Sequence, residues 1–280
     1  MAFFRHDGQR LAYTLYGEGS QCTVLMPGLL LSQKMQVPLA RALARHGHRV
    51  VTFDPLGHGA SDRPRDMWRY SMSQFAEQAL ALLDHLELEQ AVVGGTSLGA
   101  NITLELAALA PQRLRGMVVE MPVLDNAIPA CAAAFAPLLL ALTFGAPVVN
   151  FLGRGARAVP RQITPLMAEV ALDALGQDAG PSAALLQGII FGRTAPHRRV
   201  RRTFTAPTLV IGHPRDPVHP FSDADMLAHE LPNAQLLSAE SIVELRLRPA
   251  RLTPRIAEFV AECWAGEDAA GSGAARAVSA

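Results

Sequence analysis

The strongest constraint on this 280-residue chain is a repeating alternation of short runs rich in Val, Leu and Ile with segments of helical period. The apolar runs lack the in-out alternation of a half-exposed strand, so they read as strands buried on both faces. They fall at 23–27 (TVLMP), 48–54 (HRVVTFD), 90–95 (QAVVGG), 115–121 (RGMVVEM), 207–212 (PTLVIG) and 234–239 (AQLLSA), with helices expected near 33–46, 72–86, 98–110, 222–231 and 250–264. Strands and helices in this order predict an α/β fold: a mostly parallel sheet flanked by helices, its crossovers right-handed. Ahead of them, residues 2–6 and 9–16 predict a hairpin turning at Asp7-Gly8.

One interval breaks the rhythm. About 80 residues separate the strand ending near Met121 from the one starting near Pro207, far more than a crossover needs, so 123–204 is expected to be a helical cap inserted over the carboxyl ends of the strands. PLMAEVALDALG (165–176) is its clearest amphipathic piece. The uncharged stretch 126–153 exceeds the length of a bilayer-spanning helix, but Pro129, Pro137 and Pro147 interrupt it, predicting two or three short apolar helices in place of a stable membrane insertion. The division is then a core of 1–122 and 205–264, a cap of 123–204, and a small, polar, flexible tail at 265–280.

Charge and cysteine usage narrow the functions. Twenty-five Lys and Arg balance twenty-five Asp and Glu, so no long-range field would draw the chain to nucleic acid or an anionic membrane. Cys22, Cys131 and Cys263 are widely spaced and odd in number, which suits a reducing compartment and predicts neither a disulfide framework nor a metal site. The first residues lack the pattern of a signal peptide, and a cytoplasmic location is the expectation. A small-molecule substrate is the expected partner, without metal or organic cofactor; a homo-oligomer is left open.

The chemistry concentrates at AVVGGTSLGA, where Ser97 sits in G-x-S-x-G directly after a strand and before a helix. Glycines at 95 and 99 let strand and helix pack closely around a strained serine whose hydroxyl projects from the sheet. The N–H of Leu98, at the helix start, and that of Leu29, presented by a tight turn at Gly28, are candidate donors to a developing oxyanion. A further stretch, DPLGHGASDRP (54–64), follows the next strand. Together these resemble the α/β-hydrolase superfamily, whose loop after its third core strand reads D-x-x-G-H-G-x-S-D-x-P. The resemblance covers residues 2–122 and 205–264 and implies the α/β-hydrolase fold. It leaves the reaction open, because one fold hosts esterases, lipases, epoxide hydrolases, dehalogenases and haloperoxidases.

The resemblance also implies an acid after the strand PTLVIG, and Asp216 stands there in HPRDPVHP, with His213 where the family has glycine. It implies a histidine after the last strand, about seven residues ahead of Pro249. Here that position is Ile242, and no histidine follows His229. A serine hydroxyl without a base is a poor nucleophile. His229 reads as a solvated residue beside Asp225; His219 occupies a position that lines the substrate pocket in relatives and is the leading candidate for the base. His213 and His58 are the alternatives, and a pocket-lining role without proton transfer remains open for His219. Glu120 stands where some members of the family carry another acid. The run HRRVRRTF (197–204) reads as a solvated helix face. Uncharged Ala, Leu and Phe across 128–152 point to a lipophilic substrate.

The expectation is therefore a serine hydrolase acting on an ester or related acyl compound, with Ser97 as nucleophile, Asp216 as acid, His219 as base and Leu29 and Leu98 holding the oxyanion. The alternative is a catalytically weak or inactive protein of the same fold that binds an apolar small molecule. Acyl transfer or peroxide chemistry at the same residues is a third reading.

Overall fold

The structure, a computed structural model, describes residues 1–276, with side chains through residue 265. The flexible end expected at 265–280 falls almost wholly outside those side chains, and residues 277–280 lie outside the described residues altogether. Eight strands form one sheet: β1 (Ala2–His6), β2 (Gln9–Tyr16), β3 (Cys22–Met26), β4 (Arg49–Asp54), β5 (Ala91–Thr96), β6 (Leu114–Glu120), β7 (Thr208–Gly212) and β8 (Ala234–Ser238). Their order is β1-β2-β4-β3-β5-β6-β7-β8. The hairpin β1–β2 and its junction to β4 are antiparallel, and every other pairing is parallel.

β3, β5 and β7 are buried at every position, which is why they read as continuous apolar runs without alternation. Helices cover both faces: α1 (Val37–Arg45), α2 (Met72–His85), α3 (Leu98–Leu109), α9 (Phe221–Glu230), the short α10 (Glu244–Leu247) and α11 (Leu252–Arg276). One buried cluster gathers Val24, Val93, Ile102, Leu104 and Leu106 with Phe75, Leu82 and Leu83 of α2. Another, on the opposite face, gathers Val92, Val118 and Ile211 with Leu252, Ile256 and Val260 of α11. Each fully buried aliphatic side chain contributes about 1.5–3 kcal/mol relative to exposure, so the two layers hold the sheet's carboxyl edge in place.

Between β6 and β7 lie α4 (Ile128–Phe144), α5 (Ala146–Ala158), α6 (Leu166–Leu175), α7 (Ala179–Ile190) and α8 (Arg198–Arg201). Two of the three prolines begin helices, Pro129 in α4 and Pro147 in α5, where the missing N–H is harmless. Pro137 sits inside α4 without ending it, so the uncharged stretch forms two helices, bent by 98° at Gly145. Among the described residues no single helix is long and apolar enough to cross a membrane.

The insertion is tied to the core by polar side chains. Asn101 of α3 donates to the carbonyls of Val123 and Thr194, both at 2.7 Å, and accepts from Val123 N–H at 3.0 Å. Buried Asp223 accepts from the N–H groups of Leu124, Asn126 and Ala127 at 2.8–3.0 Å. Lys34 reaches across to Glu169 and Asp173 of α6. The arginine run at 197–204 is largely the solvated face expected of it, with His197, Arg198, Arg199 and Arg202 exposed. Arg201 is the exception, 3% exposed and paired with buried Glu230 of α9 at 2.7 Å.

Candidate active site

β5 ends at Thr96 and α3 begins at Leu98, leaving Ser97 alone to turn the chain. It does so with φ of 53° and ψ of −108°, a conformation that costs about 1–3 kcal/mol in a residue with a side chain. Two bonds hold the bend: Ser97 N–H donates to Glu120 O at 2.8 Å, and Gly99 N–H donates to Pro27 O at 3.1 Å. The flanking glycines are required by contact. A Cβ on Gly95 would stand 2.7 Å from the Gly99 carbonyl carbon, and one on Gly99 would stand 2.6 Å from Met26 O.

The turn lifts Ser97 Oγ to within 2.8 Å of His219 Nε2, across 122 positions of sequence. The other ring nitrogen, Nδ1, lies 2.9 Å from Asp216 Oδ2. A carboxylate can only accept, so Nδ1 carries the ring proton and Nε2 is left with the lone pair that receives the serine O–H. Asp216 also orders its own loop, its Oδ1 accepting from the N–H groups of Val218 at 2.8 Å and His219 at 2.9 Å. Burial pushes the Asp216 pKa up, but the His219 ring and the two backbone donors outweigh it and hold the carboxyl below its ordinary range. It is therefore ionised when the ring needs an anion beside it.

Leu98 is the first residue of α3, whose leading N–H groups have no intrahelical acceptor. Leu29 follows Gly28 in a turn closed by Leu31 N–H to Gly28 O at 3.1 Å. Leu29 and Leu98 border the same cavity as Ser97. The DPLGHGASDRP loop serves the turn from outside the cavity. Buried Asp54 accepts from Gln33 N–H at 2.6 Å, Gln33 Nε2 at 2.8 Å and Ala60 N–H at 3.0 Å, fixing this loop to the segment that follows Leu29.

The other histidines weighed as bases have their ring contacts elsewhere. His58 is fully buried, its Nδ1 3.0 Å from Leu56 O, and burial lowers its pKa to about 4, so it stays neutral within the fold. His213 is also buried, its Nδ1 at 2.9 Å from Ser241 O and its Nε2 at 3.4 Å from Glu120 Oε1. His229 is exposed beside Asp225.

Arg246 is the residue that the sequence reading did not single out. Its guanidinium, 6% exposed, bonds Glu120 and Thr96 Oγ1. Thr96 Oγ1 donates to Glu120 Oε2 at 2.5 Å and accepts from Gln36 Nε2 at 3.0 Å. Burial raises the Glu120 pKa, yet the charge of Arg246, with His213, overcomes it and brings the group down to about 2. Glu120 is thus a paired anion under the turn. The only signal for Arg246 was its place in ELRLRP, where nothing separates it from exposed Arg248. Among the described residues no cluster of three His, Cys, Asp or Glu side chains could hold a metal ion.

Two cavities meet at Ser97, of about 170 Å³ and about 400 Å³, both with mainly apolar walls. The family model for the alpha/beta hydrolase fold matches residues 24–240. Among curated proteins the chain is similar to a 2-hydroxymuconate semialdehyde hydrolase of Pseudomonas sp. (strain CF600), 42% identical over 71 residues, 25% of either chain. It is also similar to the serine hydrolase BPHL of Mus musculus, 34% identical over 115 residues, 40% of either chain. The matched stretches thus span two fifths or less of these relatives. Among solved structures, the enol-lactonase from Burkholderia xenovorans LB400 superposes with a TM-score of 0.76 at 22% identity, covering 93% of this chain and all of that one. A thermophilic esterase from Thermogutta terrifontis gives 0.73 at 20% identity, covering 93% and 97%. With an eight-stranded sheet, a serine at the turn after β5 and a family match over most of its length, the chain belongs to the alpha/beta hydrolase fold family.

Proposed function

We propose that the protein is a serine hydrolase of esters or related acyl compounds carrying a lipophilic group. The observation behind this reading is the unbroken chain Asp216–His219–Ser97, with heavy-atom separations of 2.9 and 2.8 Å. Those distances lie within the range proton transfer requires. In the proposed mechanism, Ser97 Oγ attacks the carbonyl carbon as His219 Nε2 takes its proton, and the charge that forms on the imidazolium is balanced by Asp216. The carbonyl oxygen, now negative, is held by the N–H groups of Leu29 and Leu98, an arrangement in which a single donor is worth about 3–4 kcal/mol. The C–O bond to the alcohol breaks with the proton returned from His219, and a water activated by the same ring then cleaves the acyl-enzyme. The helices α4–α7 act as a cap that shields these steps from bulk water.

The test combines a fluorophosphonate probe with p-nitrophenyl ester turnover. The probe labels Ser97, fails on Ser97→Ala and labels His219→Ala slowly. If the folded protein neither reacts with the probe nor turns over any ester, the reading falls and an apolar-ligand binding protein of the same fold takes its place.

A further inference from the structure

Ser97, Leu29 and Phe135 border both cavities, so the turn stands at the junction of two separate compartments. The smaller, about 170 Å³, is walled by Leu98, Ile128, Cys131, Leu186 and Ile189. The larger, about 400 Å³, is walled by Met35, Val170, Pro217, Ile242, Val243 and Leu247, and it alone includes His219.

That asymmetry fixes the direction in which a substrate lies. When the tetrahedral intermediate collapses, the alcohol oxygen must accept the proton that His219 Nε2 holds, so the departing group has to lie on the side of the ring. The acyl carbon stays on Ser97 Oγ with its oxygen at the helix α3 terminus, which leaves the Leu98 side for the acyl chain. Resting on the hydrolase reading above, we propose that the smaller compartment takes the acyl chain and the larger takes the alcohol, so that the preferred substrates are uncharged esters of a compact apolar acid with a bulkier apolar alcohol.

Apart from Ser97 and the Thr194 hydroxyl, the polar side chains on both walls are already occupied. In the smaller compartment the Asn101 amide is spent on Val123 and Thr194, and burial raises the Cys131 thiol to about 11, keeping it neutral. In the larger, the Arg246 fork is committed to Glu120 and Thr96, and Asp216 to His219 and its own loop. An ionised substituent on either arm would lose its hydration without a free charge to pair with. The segment after β8, which in the resemblance carries a histidine, instead contributes Ile242, Val243 and Leu247, 44, 45 and 60% exposed. Relieved of supplying the base, this segment becomes an apolar wall, and an alcohol arm lying against it covers side chains that otherwise face water.

Two ester series test the assignment: acetate to octanoate of ethanol, and methyl to naphthyl alcohols esterified to acetate. Filling the smaller compartment with Ala132→Phe, or Ala136→Phe if the first variant does not fold, lowers the octanoate-to-acetate ratio of kcat/KM at least tenfold and leaves the naphthyl-to-methyl ratio within threefold. Filling the larger with Val243→Trp, or Leu247→Trp, does the reverse. Exchanged or unchanged ratios overturn the assignment, as does Ser97 labelling by a fluorophosphonate with no turnover of either series. Absence of both labelling and turnover in the unsubstituted protein overturns the hydrolase reading instead.

Discussion

The segments that follow β7 and β8 make the most instructive contrast in the molecule. After β7, residues 213–219 carry both Asp216 and His219, joined to each other and to Ser97. After β8, residues 239–249 carry no titratable group in contact with Ser97; they present Ile242 and Val243 to the cavity and send Arg246 beneath the turn to Glu120. In the proposed hydrolase, work that the family resemblance divides between two segments is gathered into one, and the other is given to walls and support. On that proposal the difference teaches that an imidazole at hydrogen-bond distance, with an anion behind it, can be supplied to the serine from a different strand end.

Removing the ring after β7 challenges this contrast most severely. His219→Ala is expected to lower kcat by a factor on the order of 10⁴ to 10⁶, as loss of a base from a serine–histidine–acid set does, whereas His213→Ala, whose ring contacts the β8 side, costs less than about tenfold because proton transfer is untouched. Steady-state ester hydrolysis by the two purified variants decides it; comparable losses would mean that the two segments share the chemistry.

Arg246→Met probes the other side. It leaves Glu120, 2% exposed, without its cation, a defect expected to cost about 3–5 kcal/mol of stability. The double variant Arg246→Met, Glu120→Gln regains part of that loss. Urea midpoints measure both, and an unchanged midpoint in Arg246→Met would show that the pair does not support the turn.

The smallest effect sharpens the comparison through pH. The Glu120 pKa is depressed from 4.5 to about 2, so its contribution to stability is complete above pH 4.5 and disappears as pH falls through 2. The amount is on the order of 3 kcal/mol. In Arg246→Met this acid-side loss should shrink or vanish, whereas His219→Ala retains it. Parallel slopes for all three proteins between pH 4.5 and 2 would contradict the pairing.

Much of this architecture was legible because burial on both faces leaves a plain mark. The runs at 90–95 and 115–121 anticipate β5 and β6 within a residue at either end, and the glycines around Ser97 announce a turn that side chains would obstruct. The interior of the insertion was harder to read. α7 begins AGP, where Gly180 disfavours a helix and Pro181 is tolerated only in the first turn, and Pro137 lies inside α4, where the pattern predicted a break. In the site, the absence of a histidine after His229 posed the question, and the resemblance answered it by implying that the position three after the acid, here His219, lines the substrate pocket. Arg246 and Arg201 stayed hidden for one physical reason: in runs of closely spaced arginines, which one turns inward depends on carboxylates brought near only by folding, here Glu120 and Glu230.

The Asp216–His219 pair spans three positions of sequence, and the bond to Ser97 spans 122. Closing so short a stretch costs little chain entropy, so the contact between the anion and its imidazole is a local one. Only one distant meeting then has to succeed. A four-residue piece that carries the carboxylate and the neutral imidazole together brings both to Ser97 as one unit, so whatever displaces that loop displaces both at once.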